Sequence, residues 1–142
     1  MAEQKEQKPY QKQLPSFDEE NRPYWEATQR HELYVQKCKD CGSVQFHPRV
    51  VCADCLSSNV QWIKSSGRGT IYTFSVTNQN PARGFRDSLP YVVAYVDLEE
   101  GVKMFANVVD CKPEEVKIGM PVEAVFADVT PEVTLVNFRP AR

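Results

Sequence analysis

Residues 38 to 55 read Cys38-Lys39-Asp40-Cys41, ten intervening residues, then Cys52-Ala53-Asp54-Cys55. This stretch decides the fold. Four of the chain's five cysteines lie in two C-x-x-C pairs. Each pair sets two thiolates on one tight turn, pointing at a common centre. Two such turns face to face make a tetrahedral four-sulfur cage, which suits Zn²⁺. Gly42 follows the first pair and supplies the positive-φ residue such a turn wants. The linker Ser43–Val51 is β-branched and aromatic enough for a short strand between two knuckles. A closed cage of Cys38, Cys41, Cys52 and Cys55 leaves no open coordination position, so the metal is expected to be structural. His47, between the pairs, is read as a surface or packing residue, because four sulfurs already complete the site. Two disulfides are the competing reading, and they would need an oxidising compartment.

On either side of the cysteines the texture differs. Residues 1–15 are rich in Gln and Lys with little apolar content and read as a disordered tail. Residues 16–32 read as a helix. Ser16 and Glu19 have the spacing of a capping box, Pro23 offsets the first turns, and Tyr24 and Trp25 are the bulky anchors. Those two aromatics either pack on the neighbouring ribbon or anchor a partner protein. The ribbon itself spans 33–64, with Leu33–Lys37 as its leading strand and Pro48-Arg49 as a stiff break before the second knuckle.

From 65 to 142 the sequence alternates as β-strands do. Runs at 70–77, 91–98, 102–109, 121–127 and 133–138 are separated by turn signals such as Ser65-Ser66-Gly67 and Glu99-Glu100-Gly101. A short helical turn is expected at 113–119. Five strands in so few residues fit a small closed barrel, of which the OB-fold is the obvious member. Its long loop, 78–90, carries Arg83 and Arg86 around Gly84-Phe85. Long connections are commonly functional or mobile. The arginines are either solvated or forked donors for phosphate, with Phe85 as a flat apolar contact. Arg68, at the barrel's opening turn, is a third donor for the same purpose.

Composition bounds the function. The chain has 142 residues, a formal net charge of -2 and 42% hydrophobic residues, as a globular domain does. No apolar run approaches the ~20 residues of a membrane span. The first residues lack the apolar core of a secretory signal. With paired cysteines this points to the cytoplasm, where thiols stay reduced. An acidic balance without a basic stripe argues against general nucleic-acid binding. Cys111, the fifth cysteine, has no base near it in sequence and reads as a structural thiol.

These features together resemble a known family. They are Arg22-Pro23-Tyr24-Trp25 on a leading helix, the four-cysteine ribbon with Pro48-Arg49 before Cys52, and Ser66-Gly67-Arg68-Gly69-Thr70 opening the barrel. Leu89-Pro90-Tyr91, Glu100-Gly101, Ile118-Gly119 and Phe138-Arg139-Pro140 extend the pattern. It resembles the zinc-ribbon/OB proteins of the DUF35 type, over about residues 17 to 140, and is similar to the small subunit of benzoylsuccinyl-CoA thiolase. The resemblance implies a small, non-catalytic partner subunit of a thiolase-superfamily enzyme, aiding assembly and acyl-CoA or CoA binding, with the nucleophilic cysteine on the catalytic subunit. It places Tyr24 and Trp25 at or near the partner, and Arg68, Arg83, Phe85 and Arg86 are the CoA candidates. The rival readings are a single-stranded nucleic-acid-binding ribbon-OB protein and a stand-alone CoA-ester hydrolase.

Overall fold

The computed structural model describes residues 10–142. The first part of the expected tail, 1–9, lies outside the described residues. Residues 10–15 run without regular structure alongside the barrel's long loop, where a Cβ on Gly84 would lie 2.7 Å from the Lys12 backbone nitrogen.

Helix α1 spans Arg22–Gln29, a turn and a half later than the sequence reading places its start. The Ser16–Glu19 capping box does not form. Asp18 and Asn21 instead satisfy each other: each backbone N–H donates to the other's side-chain oxygen, at 2.9 and 2.8 Å. Pro23, which has no N–H to give, then fits only in the first turn, so the helix begins just before it. Tyr24, Ala27 and Thr28 face inward. His31, with φ of 57°, takes the left-handed conformation that stops the helix, and its N–H closes on the Thr28 carbonyl at 2.9 Å.

The ribbon is a three-stranded antiparallel sheet in the order β2-β1-β3, with β1 at Tyr34–Cys38, β2 at Val44–Gln45 and β3 at Val60–Lys64. The chain then enters a closed barrel of β4 (Arg68–Thr77), β5 (Tyr91–Leu98), β6 (Lys103–Val108), β7 (Pro121–Asp128) and β8 (Thr134–Pro140). The order around the barrel is β4-β5-β6-β8-β7, the OB arrangement expected from the sequence. The helical turn between β6 and β7 is reduced to one 3-10 turn at Pro113–Glu115, closed by the Glu115 carboxylate accepting the Lys112 N–H at 3.0 Å.

Alternation fills the barrel. Val92, Ala94, Val96 and Leu98 of β5 point in, as do Met104, Ala106 and Val108 of β6. Phe138, with no exposed surface, plugs the centre with Ile71 and Val122. The same core continues into Leu33 and Val35 of the ribbon and Tyr24 of the helix, so the three parts share one apolar interior.

The seam between β6 and β8 is the barrel's loosest join. The two strands are parallel and register at a single pair, Val108 opposite Phe138. On its far side the barrel closes tightly, where Gly69 pairs with Leu98 and Val122. A Cβ on Gly69 would press into the Asp97 carbonyl and lie 2.9 Å from Val96 Cγ1. Gly69→Ala is therefore expected to lower unfolding free energy by roughly 1–3 kcal/mol through overpacking, read by denaturant titration. A stability unchanged from wild type would show that the β4–β5 join yields freely.

Candidate metal centre and adjoining clefts

The two knuckles are near copies of one another. In the first, Cys38 N–H donates to the Ser43 carbonyl at 2.8 Å and Gly42 N–H to the Cys38 carbonyl at 3.0 Å. In the second, Cys52 N–H donates to Ser57 at 2.8 Å and Leu56 N–H to Cys52 at 2.9 Å. They are also cross-linked: Ser43 Oγ donates to the Asp54 carboxylate, and Ser57 Oγ to that of Asp40. Asn59 adds a second donor to Asp40, at 3.2 Å. These donors hold the Asp40 carboxyl below its usual range, the Ser57 hydroxyl foremost.

Behind the knuckles, two glutamines pin the linker. Gln36 is buried, donates to the Arg49 carbonyl at 3.0 Å and accepts from Arg49 N–H at 2.9 Å. Gln45 bridges Gln36, the Val51 carbonyl and Ala53 N–H. A buried amide needs its partners, and here it finds them in the segment that must carry Cys52 into place.

The result brings all four sulfurs within 4.8 Å of one another. Cys38 and Cys55 are 3.6 Å apart at sulfur, as are Cys41 and Cys52. A disulfide would be about 2 Å. Four sulfurs about 2.3 Å from a central Zn²⁺ would be separated by roughly 3.8 Å. The donor set fits the ion, with all four positions taken by protein. Backbone N–H groups, that of Cys41 foremost, bring the Cys38 thiol down to about 7 against the cost of burial, which favours the thiolate a metal needs. His47 stands outside the sulfur set, exposed, with its ring 5.1 Å from that of Phe46.

Tyr24 and Trp25 part company. Tyr24 is 6% exposed and packs edge-on against Phe46 of the ribbon, at 5.5 Å between centroids. It has almost no surface to offer a partner. Trp25 is half-buried and meets Phe17 at 5.5 Å. Helix, ribbon and barrel together enclose a cleft of about 390 Å³, lined by Tyr24, Trp25, Phe46, Met104 and Val136 with Arg49 and Asp18 at its rim.

A second cleft, of about 330 Å³, lies between residues 10–12, Phe85, Tyr91 and the barrel. Asn107, Leu135 and Asn137 line both clefts. They come from β6 and β8, where the seam's single paired position leaves the strands splayed. Asn107 Nδ2 donates to the Val92 carbonyl at 3.1 Å, which fixes its amide. The sequence reading missed these three residues. They stand at unremarkable strand positions, and only the parallel seam unites them.

Of the arginines, Arg83 and Arg86 stay together and exposed, on either side of the half-buried Phe85. Neither has an ion-pair partner among the described residues. Phe85 is 5.7 Å from Tyr91, with the Lys12 ammonium 4.9 Å over its ring. Arg68 does not join them. It opens β4 while the loop follows Thr77 at the other end, roughly 30 Å away along an extended strand. It lines a separate cleft with Asp97, Glu99 and Glu123, so the expected three-arginine site is at most a two-arginine one. Cys111 is half-buried, and burial together with the Glu115 and Asp110 carboxylates pushes its thiol up, away from the reactive thiolate.

Two family models cover the chain: "ChsH2, rubredoxin-like zinc ribbon domain" matches residues 25–61, and "ChsH2, C-terminal OB-fold domain" matches residues 62–127. The chain belongs to the DUF35/ChsH2 zinc-ribbon/OB family. It is 46% identical over 99 residues to a DUF35 domain-containing scaffold protein of Methanocaldococcus jannaschii, covering 69% of this chain and 70% of that one. It is 35% identical over 74 residues to benzoylsuccinyl-CoA thiolase subunit BbsA of Geobacter metallireducens, half of this chain and 46% of that subunit. Among solved structures, a chain of the Ltp2-ChsH2(DUF35) aldolase superposes with a TM-score of 0.81 at 33% identity, covering 91% of this chain and all of that one. No helix of the described residues is long and apolar enough to cross a membrane.

Protein purified without chelator should carry one zinc per chain by elemental analysis. Cys41→Ser should lose the metal and the ordered ribbon with it, since such sites supply the folding free energy of their modules. Full-length protein without zinc, with the ribbon ordered, would contradict the assignment.

Proposed function

We propose that this chain is a zinc-held, non-catalytic accessory subunit of a thiolase-type acyl-CoA enzyme, serving assembly and holding part of the acyl-CoA. The observation that carries the reading is the disposition of the cysteines in a chain of this family. Four converge on one cage, and the fifth is half-buried beside carboxylates that oppose its ionisation. A thiolase-type reaction needs a thiolate nucleophile with a base beside it, and the partner would supply both. The names of the relatives point the same way: one is a scaffold protein, one a thiolase subunit and one a component of an aldolase.

The paired clefts support a path for acyl-CoA. Coenzyme A presents a pyrophosphate and a 3′-phosphate, then a narrow pantetheine arm with two amides. Arg83, Arg86 and Lys12 stand where the phosphates would be met, and Phe85 offers the adenine a flat apolar face. Asn107 and Asn137 offer amide partners along the seam beside Leu135, and the 390 Å³ cleft would receive the thioester end. Bound zinc would keep the cleft's ribbon wall in place and take no part in bond making.

The nucleic-acid reading draws on Tyr72, Tyr95 and Phe105, exposed side by side on the outer face of β4, β5 and β6. Lys103, the cation among them, is already paired with Asp97 at 3.1 Å, which leaves that face without charge for a phosphate backbone.

Affinity-tagged chain expressed in its source cells should co-purify with a thiolase-superfamily protein in fixed ratio, and absence of any such protein would overturn the reading. In the assembled complex, Arg83→Ala with Arg86→Ala should raise the apparent acyl-CoA constant by roughly two orders of magnitude, at ~1.5–3 kcal/mol per charge-assisted bond. An unchanged constant for acyl-CoA and dephospho-CoA esters alike would remove the loop from the site. Cys111→Ala should keep most of the complex's turnover, and its loss with assembly intact would make Cys111 a reacting group.

A further inference from the structure

The second knuckle breaks a rule that the first obeys. Both turns place the residue after the second cysteine in the left-handed region, Gly42 at φ 76° and Leu56 at φ 63°. Glycine takes that conformation without strain, whereas a leucine meets its own backbone there. A strained leucine is ordinarily offset by burial of its side chain. Leu56 is 76% exposed, so the fold gains almost nothing from it. Val50, 70% exposed, and Val51, 37% exposed, bracket the same turn.

The knuckle also presents no cation. Residues 50–58 contain neither Lys nor Arg, and the one carboxylate, of Asp54, takes the Ser43 hydroxyl. Such a surface has nothing to attract a phosphate polymer or an anionic lipid. It is a convex aliphatic knob, held rigid by the sulfur cage and by Gln45, which grips Val51 and Ala53. Rigid apolar projections lose little freedom on binding and fit a concave apolar pocket on a folded protein.

We propose that Leu56, flanked by Val50 and Val51, is the anchor by which the chain docks into an apolar pocket of its catalytic subunit. This rests on the accessory-subunit reading and locates its main contact on the second knuckle and not on the buried Tyr24.

The test uses the thiolase-superfamily subunit recovered with wild-type chain, and full-length Leu56→Gly and Leu56→Ala. Leu56→Gly should keep its zinc and melt at or above the wild-type temperature, because the backbone strain is relieved. Both variants should bind the catalytic subunit at least tenfold more weakly by calorimetry. Binding within twofold of wild type overturns the proposal. So does a Leu56→Gly protein that melts well below wild type, which would make Leu56 a folding residue. A homodimer of the chain alone, or binding to phosphatidylcholine vesicles, that Leu56→Gly abolishes would assign the knob to another occupant and equally overturn it. If wild-type chain recovers no such subunit, the accessory reading itself fails, an outcome the wild-type control distinguishes from failure of the knob.

Discussion

The convergence of four sulfurs is the constraint on which the rest depends. Strand β2 is two residues long, and helix α1 has eight, too few to persist alone in water. Neither carries its own stability. The cage sets the spacing of the knuckles, and the Asp–Ser cross-links and the Gln36–Gln45 pins fix their orientation. That positions Phe46, against which Tyr24 packs, and Tyr24 in turn seats the helix over the barrel. The 390 Å³ cleft exists because of this chain of contacts, since its walls come from all three parts. A structural metal thus shapes a surface some distance from itself without touching any ligand there.

Much of this was legible in the sequence. Cysteine spacing carries its own geometry, and alternation marks barrel strands whose inner faces are apolar. Both are local patterns enforced by burial. The start of α1 was not legible in the same way. Two overlapping polar turns compete there, Ser16 with Glu19 and Asp18 with Asn21, and the position of Pro23 decides between them. The separation of Arg68 from the loop could have been read from the ten residues of β4, because a strand that long cannot bring its two ends to one ligand. Asn107 and Asn137 could not have been found. Their meeting depends on a parallel pairing of strands distant in sequence, and no local pattern encodes that.

Leu56 is an intermediate case. Aligning the two knuckles on their cysteines sets it against Gly42, and the glycine's conformational role was evident from the first knuckle alone. The leucine's meaning emerges only when its φ and its exposure are known together. The same holds for Cys111, whose neighbours Asp110 and Glu115 are close in sequence but acquire their effect on the thiol through the bend after β6 and the 3-10 turn.

The account assigns the reacting groups to the partner and shape to this chain. Its most direct test is acyl-CoA turnover, measured for the isolated chain, the isolated catalytic subunit, and the pair reconstituted with zinc-loaded or zinc-stripped chain. The prediction is no turnover by the chain alone, little by the catalytic subunit alone, full activity for the zinc-loaded pair, and its loss when the stripped chain is used. Turnover by the isolated chain, or full activity of the catalytic subunit without it, would contradict the account.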